Sequence, residues 1–267
     1  MVDGISFGQF YPVRSFVHQM DGRIKIVLTI AFIVFLFLAT NAASLLLCAM
    51  SLIFFIAATR VPLKTYLKNV RAIIPVLLIT AAFNLFYTDG GTILFKIGSH
   101  VSITSNGVQT ALFMAVRILL LIISSAIMTN TTSPTVLTDS IESLLSPLKW
   151  LRLDIHSLAM MMSIALRFVP TLIEEPDKIM NSQKARGADL ESGNLVRRIK
   201  ALLPILIPLL ISAFRRAAEL ADAMECRCYH GGDGRTRLRV MRLSWRDGVA
   251  ITVFVLLLVG LILLRRM

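Results

Sequence analysis

Residues 26–59 read IVLTIAFIVFLFLATNAASLLLCAMSLIFFIAAT, thirty-four positions without one charged side chain. A spanning helix needs about 20 mainly apolar residues, with a range of ~17–25. Ile26–Ala39, slightly extended at both ends, and Ala42–Thr59 each satisfy that, divided only by a short turn around Asn41. Two apolar helices joined this tightly read as a membrane hairpin. Ile73–Tyr87, Val108–Met128 and Gly248–Leu264 complete a set of five candidate spans. The first apolar run exceeds the ~7–15 residues of a signal-peptide core, and no A-x-A site follows it, so it is not read as a cleaved leader.

Composition agrees with a membrane protein. The 267 residues are 56% apolar and 16% charged, against ~45–50% and ~25% in ordinary soluble domains. Lys and Arg outnumber Asp and Glu by 28 to 16, a formal charge of +12. A nucleic-acid binder is excluded as a reading, because its cations would not accompany long uncharged runs. Residues 1–130 carry +6, residues 131–247 only +4 (17 basic, 13 acidic), and the tail +2. The long block before the last span is therefore a nearly balanced helical region rather than a polycation. Three cysteines, Cys48, Cys226 and Cys228, cannot staple a secreted scaffold and fit a reducing or membrane setting.

Positive charge also orients the chain. Arg14, Arg23 and Lys25 precede the first span, none lies between the first two, and Arg60, Lys64, Lys68 and Arg71 follow the second. The stretch Thr88–Gly107 carries only Lys96 and reads as a solvated turn region. The expectation is a multi-pass membrane protein, with its N-terminus and the 131–247 block in the cytoplasm. The domain reading is 1–130 for the first four spans, 131–247 for a cytoplasmic or interfacial block, and 248–267 for the last span.

Within that block, Ile155–Val169 and Ala201–Phe214 are apolar but bracketed by charge. Fourteen helical residues reach ~21 Å, short of the ~30 Å hydrocarbon core, and Pro204 and Pro208 interrupt the second stretch. They read as interfacial or protein-buried helix starts, with a seven-span arrangement as the alternative. Each start leads into a charged helical end, the first stopping at Gly187 and the second running into Gly231–Gly232. Glu174 with Lys178, and Arg215 with Glu219, have the i, i+4 spacing of solvated faces. A shorter helix, Thr135–Trp150, comes first.

Two common enzyme motifs are missing: there is no G-x-x-x-x-G-K-[ST] and no H-E-x-x-H. No acid pair lies within a span, as a proton-coupled carrier would often need. Cys226-x-Cys228 with His230 offers three metal ligands where structural zinc takes four, so no metal or other cofactor is assigned. What remains is an arginine at each long helix end: Ala185-Arg186-Gly187, and Cys226-Arg227-Cys228. Small neighbours would let a partner approach the backbone, and guanidinium suits a bidentate carboxylate contact. The bland reading is a basic side chain near helix C-terminal carbonyls. Two matching ends bring the two readings level.

These residues resemble the transmembrane T component (EcfT) of energy-coupling factor vitamin transporters, ATP-binding-cassette importers with Ala-Arg-Gly-type motifs at the ends of two coupling helices. Ala185-Arg186-Gly187 matches the first motif, whereas Cys226-Arg227-Cys228 keeps only the arginine of the second. Ser15-Phe16-Val17-His18-Gln19-Met20-Asp21-Gly22-Arg23-Ile24-Lys25 follows the family's S-x-L-H-x-L-D-P-R-x-K entry segment, with Gly22 in place of proline. Arg167-Phe168-Val169-Pro170 with Glu174-Glu175, then Pro208-Leu209-Leu210, Arg215-Arg216-Ala217 and Arg235-Thr236-Arg237, follow in family order.

The resemblance implies an all-α integral membrane protein with about five transmembrane helices and a cytoplasmic helical coupling domain containing two long coupling helices. It implies no catalysis by this chain: ATP would be bound by two ABC ATPase subunits (an EcfA-type pair), into which Arg186 and Arg227 dock. A substrate-binding S component would lie against the membrane part, with Met160, Met161, Met162, Pro204, Pro208 and Arg117 as the interface candidates. Arg117, inside a span, is otherwise read as a packed side chain bonded to helix carbonyls, and the methionines as plain packing. Arg235 to Arg246 are read as meeting anionic headgroups. The alternative function is a permease subunit of another ATP-driven importer, whose own helices form the substrate path.

Overall fold

The computed structural model describes residues 10–88, 90, 92–97, 101–151, 154–187, 195–231, 241 and 243–266. Eight helices and one two-stranded hairpin are formed by them. The chain divides into two compact units, residues 1–140 with 240–267, and residues 141–239.

The first unit holds α1 (Gly22–Leu38), α2 (Ala42–Thr59), α3 (Leu63–Tyr87), α4 (Ser105–Thr131), most of α5 (Pro134–Leu145) and α8 (Trp245–Arg266). Leu36 of α1, Cys48 and Leu52 of α2, Leu120 of α4 and Phe254 of α8 meet in one core. The Phe254 ring lies 5.5 Å from Phe55, 6.2 Å from Phe32 and 6.3 Å from Phe35, centroid to centroid, within the range of favourable aromatic pairs. On the opposite side of α1, Val27, Ile30, Val34 and Phe37 form an exposed stripe at helical spacing. Apolar side chains both inside the bundle and outside it are the pattern of a protein solvated by lipid.

Among the described residues, five helices are long and apolar enough to cross a membrane: α2, α3, α4, α8 and α6 (Ile155–Ala185). This differs from the sequence expectation. The first candidate span folds as α1, whose 17 residues reach about 26 Å, a little short of the ~30 Å core. The stretch Ile155–Val169 continues without a break through Pro170 and Pro176 into one 31-residue helix. A second correction concerns Thr88–Gly107. Part of it pairs as an antiparallel hairpin, β1 (Ile93–Ile97) with β2 (Val101–Thr104), so the chain is not helical throughout. Its Ile, Leu, Phe and Val content suits strands, which the polar residues of the stretch obscure.

The entry segment stitches the first unit together. Asp21 caps α1 by accepting from the Arg23 backbone N–H at 2.9 Å and pairs with the Arg23 guanidinium at 2.8 Å. Its own N–H donates to buried Asp247 of α8 at 2.9 Å, while the other Asp247 oxygen accepts from the Ser244 N–H. Lys25, buried, donates to the Thr131 carbonyl at the end of α4 at 3.0 Å. His18 takes a hydrogen bond from Ser15 Oγ at Nδ1 and donates through Nε2 to the Tyr11 carbonyl, at 2.7 and 2.9 Å. Gly22 admits a close neighbour: a Cβ there would stand 2.2 Å from the Ser140 hydroxyl oxygen of α5.

The second unit contains a 3-10 turn (Ser146–Leu151), α6 and α7 (Leu195–Glu225). The helical segment expected over Thr135–Trp150 is thus α5 followed by this turn. α7 begins six residues before Ala201 and runs through both Pro204 and Pro208. A proline removes one backbone donor, and the remaining bonds of so long a helix carry it past both sites.

Candidate functional site

α6 starts at Asp154, whose carboxylate accepts from the Ser157 N–H at 3.1 Å, the ordinary N-cap arrangement. Its other end is built for a sharp stop. The Arg186 N–H bonds the Gln183 carbonyl at 3.1 Å, the Gly187 N–H bonds Lys184 at 3.0 Å, and Gly187 takes φ +86°. That left-handed conformation suits glycine and ends the helix. α7 closes differently. It stops at Glu225 rather than continuing towards Gly231, because Cys228 adopts φ +55° and the Tyr229 N–H folds back to the Met224 carbonyl at 3.1 Å. A non-glycine residue therefore performs the reversal that glycine performs on α6.

Both arginines stand clear at these ends. Arg186 and Arg227 are exposed, as are Ala185, Gly187, Cys226 and Cys228. Neither guanidinium forms an ion pair among the described residues. Cys226 and Cys228 are free thiols. Each end is thus a charged fork on a short, uncluttered backbone turn. It can accept a carboxylate-bearing groove without first breaking an ion pair among the described residues.

Behind the ends, α6 and α7 are locked together. Glu175 and Arg216 form an ion pair at 3.2 Å, and the Ser212 hydroxyl donates to the other Glu175 oxygen. By contrast, Glu174 and Lys178 lie 3.9 Å apart on a solvated face. An apolar groove of about 250 Å³ runs beside the lock, between Ile164, Phe168 and Leu172 of α6 and Ala217, Leu220 and Met224 of α7. The later part of α7 therefore lies along the earlier part of α6. Its consequence is that the two arginine-bearing ends diverge from the lock.

The other candidates are dispersed. Met161 and Met162 are exposed on α6 and Met160 is half-buried; on α7 Pro204 is exposed and Pro208 half-buried. Arg117 belongs to the first unit. Its Nη2 donates to the Ala39 carbonyl at the end of α1, and the guanidinium lies 4.7 Å from the Phe113 ring centre. There it serves an otherwise unpaired helix-end carbonyl. Ala188, Asp189, Gly232 and Arg235-Thr236-Arg237 lie outside the described residues, as does most of the Arg235–Arg246 run.

Residues 13–238 match the CbiQ family, described as cobalt transport protein. A protein of Clostridium kluyveri is 46% identical over 267 residues, covering 100% of this chain and 98% of its own length. One from Ruminiclostridium cellulolyticum is 42% identical over 265 residues, covering 99% and 98%. A third, from Bacillus subtilis, is 41% identical over 265 residues, covering 99% and 100%. All three are described as energy-coupling factor transporter transmembrane protein EcfT. The chain belongs to the EcfT family.

Members of the EcfT family are non-catalytic transmembrane subunits; among the described residues no group of three or more His, Cys, Asp or Glu is placed to hold a metal ion. In this EcfT chain the Glu175–Ser212–Arg216 lock is what sequence reasoning missed. Glu174-Glu175 and Arg215-Arg216 are tandem pairs, and helix rotation decides which member of each faces the other helix. A signal existed in the equal distance of Glu175 and Arg216 from their helix-end arginines.

Proposed function

We propose that this EcfT-family chain is the transmembrane coupling subunit of an energy-coupling factor importer for a vitamin or micronutrient. Its block 131–247 is the cytoplasmic coupling domain, and α6 and α7 are the coupling helices. α1, α2, α3, α4 and α8 cross the membrane with the N-terminus inside. The charged second half of α6, with Glu174, Glu175, Asp177, Lys178 and Lys184, supports keeping that helix out of the lipid, since buried charges there would be costly.

Arg186 and Arg227 each dock in a groove on one of two ABC ATPase subunits. The carrying observation is that both are exposed and have no ion pair among the described residues, at ends that diverge from a common lock. Diverging ends suit two separate partners rather than one. ATP-driven closure of the ATPases favours one spacing of their grooves, and that energetic difference shifts the helices. The apolar starts around Met160, Met161, Met162, Pro204 and Pro208 then rearrange against the substrate-binding S component.

Co-expression tests this reading. Affinity-tagged chain is expected to bring down both ATPases and a small membrane protein, and the complex to take up substrate in liposomes with ATP. Uptake by the purified chain alone would contradict it.

A further inference from the structure

At the end of the first unit where α2 finishes and α8 begins, a recess of about 520 Å³ lies between three chain segments. That is within the ~300–1,000 Å³ range of small-ligand sites. Each segment contributes one arginine: Arg14 ahead of α1, Arg60 at the end of α2, and Arg246 in the first turn of α8. Among the described residues, no acidic one lines it. The nearest acid along the chain, Asp247, is buried and already bonded to the Asp21 and Ser244 N–H groups. Arg14 and Arg60 are exposed and have no ion pair among the described residues.

The recess is also oriented. The Arg246 guanidinium is held by the Gln19 side-chain oxygen and lies 5.8 Å from the Trp245 ring centre. Trp245 packs edge-on against Phe16 at 5.9 Å. Phe54 and Trp245 line the same recess and are 61% and 70% exposed, large apolar surfaces beside fixed cations. Tryptophan concentrates at the membrane–water boundary because its ring is amphipathic. Basic pockets between helix ends at that depth suit anionic lipid headgroups.

We infer that this recess is a binding site for an anionic phospholipid. The Arg14, Arg60 and Arg246 guanidiniums take the phosphodiester oxygens, for which their planar donors are suited, and Phe54 and Trp245 lie along the glycerol and first acyl carbons. A free phosphate would satisfy the cations but leave the aromatic wall in water. The lipid satisfies both.

The chain has two tryptophans, so Trp150→Phe leaves Trp245 as a reporter in the wall itself. Full-length W150F protein in neutral detergent is titrated with phosphatidylglycerol, phosphatidylcholine or inorganic phosphate. Bound lipid is counted in parallel by native mass spectrometry, which does not depend on the tryptophan. Phosphatidylglycerol is expected to shift the emission saturably and to be retained, whereas the other two have no effect. R14Q/R60Q/R246Q is expected to need about tenfold more phosphatidylglycerol, a loss of ~1.4 kcal/mol. K64Q/K68Q/R71Q, which removes the same charge elsewhere, is expected to bind like the parent. The inference is overturned if that control loses as much affinity, if inorganic phosphate saturates the site equally, or if folded W150F protein retains no phosphatidylglycerol.

Discussion

The Glu175 carboxylate of α6 and the Arg216 guanidinium of α7 meet at 3.2 Å, and each stands eleven residues before its own helix-end arginine (175 to 186, 216 to 227). Eleven residues are about 16 Å of helix, so the two arginine-bearing ends extend equally from one lock. Glu175→Ala and Arg216→Ala are therefore expected to leave ATPase association intact while slowing ATP-driven uptake. The pair is partly exposed, and its coupling energy should be about 1 kcal/mol rather than the value of a fully buried pair. Uptake by E175A, R216A and the double variant checks this, the double being no worse than the worse single. Strictly additive losses would contradict a shared lock.

Gly22→Ala tests a close backbone approach in the first unit. Its Cβ would stand 2.2 Å from Ser140 Oγ, and Ser140 is fully buried with its hydroxyl bonded to the Val136 carbonyl at 2.6 Å. Overpacking of this kind costs ~1–3 kcal/mol. Thermal unfolding of the purified chain should show G22A destabilised. S140A should restore part of the loss, since the next contacts, Val136 Cγ1 at 3.1 Å and Ser140 Cβ at 3.3 Å, remain tight.

Arg117→Ala removes the donor to the Ala39 carbonyl, which lies on a residue only 1% exposed. A buried acceptor left without a partner costs ~1–3 kcal/mol. Arg117→Lys keeps the charge but loses the planar stacking on Phe113. Unfolding in detergent should rank wild type above R117K and R117K above R117A. Equal stability of R117A and wild type would remove Arg117 as the cap of α1.

Acidification should loosen the entry segment through His18. Burial holds its imidazole below the ordinary value of 6.5; the Tyr11 carbonyl contact opposes this, and the Lys25 charge adds to it. The unfolded chain takes up the proton at higher pH than the folded one. The His18 contribution is thus complete above pH 6.5 and is lost as pH falls through the interval below it. Melting temperatures between about pH 7.5 and 5.5 should fall in wild type and change less in His18→Gln, which cannot take up the proton.

Membrane character and most of the helices were legible in residues 26–59 and 108–128 because long uncharged runs have few other solutions. The helix ends were legible where glycine marks them, as at Gly187, and not at Cys228, where a cysteine holds the left-handed turn. Pro204 and Pro208 misled the reading of α7, since each removes only one donor and the helix runs through both. The hairpin was hidden because short strands between polar residues share the composition of loops. Arg186 and Arg227 were visible as paired motifs. Their lock was invisible because it joins residues 175, 212 and 216 across two helices, a placement that local spacing does not record.

The proposed function stands on the contact that Arg186 and Arg227 make with the ATPases. Its most direct measurement is co-purification of both ATPases with wild type, Arg186→Glu, Arg227→Glu and the double variant, all confirmed as membrane-inserted. Each single reversal is expected to weaken association, and the double to abolish it together with ATP-driven uptake. Undiminished association and uptake in R186E/R227E would contradict the claim.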